Sequence, residues 1–111
     1  MIVASEQTLP EAERFTIVLP GGQEAAASLA GRDPGTNIAA LRLDAPVAFT
    51  RPAWREEAAP GALVLALGAD GQGGASLRLG AVQAVGPAWT SMAGGRIDSL
   101  VKLDLRLGSA D

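Results

Sequence analysis

The chain has 111 residues, a formal net charge of −3, 48% hydrophobic residues and 19% charged ones, which suits one compact domain with a sizeable core and excludes a disordered chain. It contains no cysteine and no histidine, and Lys102 is its only lysine. Disulfides, thiolate metal centres, Cys nucleophiles and His-dependent base catalysis are thereby excluded, and no basic patch exists to bind nucleic acid, so neither a metal nor a cofactor is expected.

Residues Met1 to Gln7 lack the basic and apolar regions of a secretory signal, and no run approaches the ~20 apolar residues of a membrane span. With 4% aromatics and no tyrosine, the core must be aliphatic. Ile2-Val3-Ala4 reads as a short strand, followed by a polar segment that Pro10 interrupts. From Phe15 the pattern has period two, with Phe15, Ile17 and Leu19 on one face, and it ends in the turn Pro20-Gly21-Gly22. Glu24 to Ala30 is rich in helix formers, but a helix of about seven residues is marginal in water, so a return strand is predicted.

Asp33-Pro34-Gly35 is a turn. Asp bonds its own backbone, Pro presets φ and Gly tolerates positive φ. A strand is predicted to start at Asn37 and to put Ala39, Leu41 and Leu43 on its inner face. A shorter element is expected around Val47-Ala48-Phe49. The polar connection 53–61 separates two expected lobes, 1–52 and 62–111. Ala62 to Leu67 is a continuous apolar run, the sign of a strand buried on both faces. Gly68 to Gly74 is a loop, Ser76 to Val85 alternates, and Ile97 to Leu107 forms a last strand. Seven or eight short strands argue for an all-β barrel or sandwich.

Gly68 to Gly74 has no following lysine or helix, so it is a hairpin loop rather than a phosphate cradle. Glu56-Glu57 is a solvated turn, because neighbouring residues in extended chain point to opposite sides. Asp98, Lys102 and Asp104 share a parity that suggests an outward ion-pairing face. Trp54 and Trp89 flank Pro or Gly loops and are candidates for peptide or partner binding. Burial of both as a lid over a barrel end is the preferred reading.

Taken together, the motifs resemble the trypsin-like protease domain of the HtrA/Deg family across nearly the whole chain. The residues from Ile2 to Leu9 (IVASEQTL) match the family's "IVTNxHVV", Phe15 to Gly22 (FTIVLPGG) its "ITVxLPDG", and Asp33 to Leu43 (DPGTNIAALRL) its "DPxTDLALLKI". Pro60 to Gly68 (PGALVLALG), Ser76 to Gly86 (SLRLGAVQAVG) and Ile97 to Asp104 (IDSLVKLD) match the next three. The resemblance implies trypsin-like antiparallel β-barrels, the second incomplete within this chain, and a bacterial, periplasmic setting.

Two departures bear on activity. Gln7 stands where the family has its catalytic His, and Asn37 where it has its Asp; the nucleophilic Ser would fall just after Asp111. Triad chemistry needs an imidazole base oriented by a carboxylate. The expectation is therefore a catalytically inactive pseudoprotease that binds proteins or peptides or acts as a scaffold, either as a fragment or with a second chain or second copy supplying strands. The alternative is one part of a split serine endopeptidase whose Ser lies on a following segment or on a companion.

Overall fold

The computed structural model describes residues 1–70 and 72–105. Those residues form nine strands and one short 3-10 turn, an all-β architecture as the spacing of the apolar segments predicts. Strands β1 (Ile2–Ser5), β2 (Arg14–Val18), β3 (Glu24–Asp33) and β4 (Ile38–Leu43) make a four-stranded sheet in the order β1-β4-β3-β2. Strands β5 (Leu63–Ala69), β6 (Ala75–Gly86) and β9 (Leu100–Asp104) make a second sheet, and β7 (Trp89–Thr90) pairs with β8 (Arg96–Ile97) in a small hairpin.

The first sheet follows from its side-chain alternation. Cross-strand pairs Phe15–Ala27, Ala27–Leu43, Leu29–Leu41 and Ala4–Ala39 put one apolar set on one face. Ala27, Ala39 and Leu41 on that face are buried, so the core sits where three strands meet. The alanines of β3 have high helix propensity, but here they fit between larger neighbours on a pleated surface, and packing overrides propensity.

Several sequence expectations are corrected. Strand β3 runs past Gly31 to Asp33, three residues beyond the expected end at Ala30, by skipping Ala30 in a bulge between Leu29 and Gly31. Strand β4 starts at Ile38; Asn37, expected as its first residue, has φ of 56°, outside the range a strand uses. Val47 to Phe49 form no strand, since Pro46 and Pro52 frame a segment with little alternation. The apolar run at Leu63 is not buried on both faces: Leu63, Leu65 and Leu67 are exposed. Continuity of apolar residues identifies a strand but not what covers it. The expected strand 97–107 is divided between β8 and β9 by Asp98-Ser99, and its last two residues lie outside the described ones.

Two glycine contacts hold the sheets together. Gly73 lies against Gly22, where a Cβ on Gly73 would stand 2.1 Å from the Gly22 nitrogen, and the Gly21 N–H donates to the Gly73 carbonyl at 3.1 Å. Gly35 lies against Gly95 in the same way. Only residues without side chains let backbone approach backbone this closely.

Candidate functional site

The site forms where the turn after β3 meets the 3-10 turn Glu6–Thr8 that follows β1. Asp33 shapes its own turn. Its Oδ1 accepts the Gly35 N–H at 3.0 Å and its Oδ2 accepts the Thr36 hydroxyl at 2.7 Å. Asn37 then sits in the left-handed region at φ 56°, a conformation Asn adopts more readily than most residues.

That backbone geometry turns both oxygens of Asn37 toward the 3-10 turn. Its side-chain Oδ1 accepts from the Ser5 hydroxyl and from the Gln7 backbone N–H, each at 3.0 Å. Its main-chain carbonyl accepts the Glu6 N–H at 3.2 Å. Gln7 and Asn37, thirty residues apart in sequence, therefore meet through the Gln7 backbone, and the Gln7 side chain is on the exposed side of the turn. The turn itself is closed by the Thr8 hydroxyl donating to the Ser5 carbonyl at 2.9 Å and the Leu9 N–H to Glu6 at 3.2 Å.

Arg32 clamps the same segment from below. The bulge at Ala30 shifts the β3 register so that Arg32 pairs with Ala39 and shares its inward face; an unbroken alternation from Leu29 would have sent it outward. There Arg32 donates to Glu6 Oε1 at 3.2 Å and to the carbonyls of Leu9, at 3.5 Å, and Pro10. The ion pair is largely sheltered, with the two side chains 15% and 16% exposed. The exposed pair Arg14–Asp44 lies elsewhere, between the start of β2 and the end of β4.

The β7–β8 hairpin touches the other side of the Asp33 turn. The Ser91 hydroxyl donates to the Gly35 carbonyl and accepts the Gly95 N–H at 3.1 Å. Sequence reasoning singled out Gln7 and Asn37 but missed Ser5, Arg32 and Ser91. The turn at Asp33-Pro34-Gly35, in which Asp33 bonds its own backbone, forms as the sequence predicts; no local signal pairs Arg32 with Glu6.

Trp54 and Trp89 are not a buried lid. Trp54 is 89% exposed and Trp89 45%, and residues 53–61, the connection that carries Trp54, are exposed throughout. The loop between β5 and β6 is capped by Asp70, whose Oδ1 accepts from the N–H groups of Gln72 at 2.8 Å and Gly74 at 2.9 Å. Asp98 pairs with Arg96 at 3.6 Å, at the surface. An apolar cavity of about 570 Å³, lined by Ile2, Leu19, Leu43, Val47 and Phe49 among others, lies at the end of β1 and β4 opposite to Asn37. Among the described residues no cluster of acidic residues could hold a metal ion, and no helix is long and apolar enough to cross a membrane.

No curated protein and no solved structure matches the chain. The model of the trypsin-like peptidase domain matches residues 2–110, a span that takes in both sheets and the Gln7–Asn37 contact. With that match over nearly its whole length, the chain belongs to the trypsin-like peptidase domain family.

Proposed function

We propose that this is a catalytically inactive trypsin-like domain of HtrA/Deg type that works as a protein- or peptide-binding or scaffolding module. The observation that carries the reading is the contact between Asn37 and Gln7. In a triad, a carboxylate accepts the imidazole N–H and stabilises the imidazolium that forms when the base takes the serine proton. Asn37 retains one acceptor oxygen but offers an amide NH₂ in place of the second, and Gln7 has no group that takes a proton at neutral pH. Replacing the triad Asp alone by Asn lowers kcat by about 10⁴ in a trypsin-like enzyme; here the sequence also has no histidine.

The hydrogen bonds from Ser5 and Gln7 to Asn37 tie the 3-10 turn to the start of β4, which supports a structural task for Asn37 in this reading. Binding would fall to exposed aromatic rings such as Trp54 and Trp89, the residue type enriched among energetic anchors of interfaces. Incubation with a fluorophosphonate probe and with casein tests the reading. Neither labelling nor cleavage is expected, while anisotropy titration against extended peptides should saturate and weaken in Trp54→Ala or Trp89→Ala. Covalent labelling together with casein turnover would overturn it.

A further inference from the structure

We propose that Asp33–Pro34 is a self-cleaving bond, at which the folded chain nicks itself in acid and stays assembled as two pieces. Of the seven prolines, Pro34 alone follows an aspartate. Its nitrogen belongs to a tertiary amide and carries no N–H. Such a nitrogen is more basic than that of an ordinary peptide bond, so acid turns it into a leaving group more readily. The Asp33 carboxylate beside it is the nucleophile.

The step balances with water as its only co-reactant. A carboxylate oxygen of Asp33 bonds to the Asp33 carbonyl carbon, the bond from that carbon to the Pro34 nitrogen breaks, and the nitrogen leaves with the proton that acid supplies. The five-membered cyclic anhydride left on Asp33 takes up one water and opens to two carboxyl groups. Pro34 becomes a free secondary amine.

The turn prepares this reaction. Asp33 Oδ1 accepts the Gly35 N–H at 3.0 Å and Oδ2 the Thr36 hydroxyl at 2.7 Å, which folds the carboxyl group back over the peptide unit that joins Asp33 to Pro34. A group held beside its target has already lost the freedom that a mobile side chain must give up to react. Asp33 and Pro34 are both exposed, so water reaches the anhydride. Among the described residues, the cations on the neighbouring elements are engaged elsewhere: Arg32 donates to Glu6, and Arg96 at the start of β8 pairs with Asp98. The two pieces stay together because β3 ends at the cut and β4 begins beyond it, paired from Ala27–Leu43 to Asp33–Ile38. Asn37 lies after the cut and keeps its bonds to Ser5 and Gln7.

Denaturing mass spectrometry of the full chain, kept at the lowest pH at which its circular dichroism is unchanged, tests this. Fragments 1–33 and 34–111 should accumulate, with masses that sum to the intact chain plus one water, while size exclusion before denaturation gives the elution volume of the uncut chain. The native chain should cut at least about tenfold faster than the same chain in urea at that pH, because only the fold holds the carboxyl group in place. Thr36→Val removes the anchor of Oδ2 and should slow the native reaction while leaving the rate in urea unchanged. Pro34→Ala should abolish cutting in both. An uncut native chain overturns the proposal. So does a native rate no faster than that in urea, a native rate that the folded Thr36→Val variant leaves unchanged, or cutting that persists in Pro34→Ala.

Discussion

Gly35 and Gly95 touch backbone to backbone: a Cβ placed on Gly95 would lie 2.1 Å from the Gly35 carbonyl carbon. The contact locks the β7–β8 hairpin onto the turn that carries Asn37, and Ser91 stitches it with hydrogen bonds to both glycines. Backbone cannot yield as a flexible side chain would. Gly95→Ala should therefore cost about 1–3 kcal/mol, the range for overpacking a close contact. Gly31→Ala meets nothing within 4 Å and has no positive φ, so it should be neutral or mildly stabilising. Urea denaturation midpoints of the two variants separate a packing effect from a general loss of glycine.

Substitutions at Asn37 should rank by two separable terms. Asn37→Asp keeps an acceptor for Ser5 and Gln7 and tolerates the left-handed backbone, so its stability should stay near that of the parent. Asn37→Gly keeps the backbone but loses the acceptor and should cost about 1 kcal/mol. Asn37→Ala loses the acceptor and also places a Cβ in the left-handed region, adding about 1–2 kcal/mol. A flat series in chemical denaturation would mean that the hydrogen bonds at 3.0 Å carry no net stability.

Arg32→Ala should destabilise by about 2 kcal/mol, since a sheltered carboxylate and two carbonyls lose their partner together. Arg32→Lys should recover little, because an ammonium cannot fork to Glu6 and two carbonyls as a guanidinium does. Faster amide exchange at Leu9, whose N–H closes the turn onto Glu6, is the local readout that distinguishes release of the clamp from global unfolding.

Arg14→Ala is the contrasting case. Its ion pair with Asp44 has side chains 63% and 40% exposed, so solvent screening limits its worth to about 0–1 kcal/mol. A loss as large as that from Arg32→Ala would contradict the view that burial, rather than the count of ion pairs, sets their value. Parallel denaturation at low and high salt makes the comparison.

Strand identity was legible locally, because alternation reports directly on a half-buried pleat. Phe15 and Ile17, Ala39 to Leu43, and the turn at Asp33 all announce themselves within a few residues, as does the lack of any imidazole. The tertiary structure alone decided three things. It chose which way Arg32 points, since one extra residue in a bulge reverses the faces of all that follow. It set Asn37 against Gln7 across thirty residues of chain, a juxtaposition made by β1–β4 pairing rather than by any local preference. And it left Leu63, Leu65 and Leu67 in solvent, because an apolar run records an affinity for burial, while burial itself depends on what else is present to cover it.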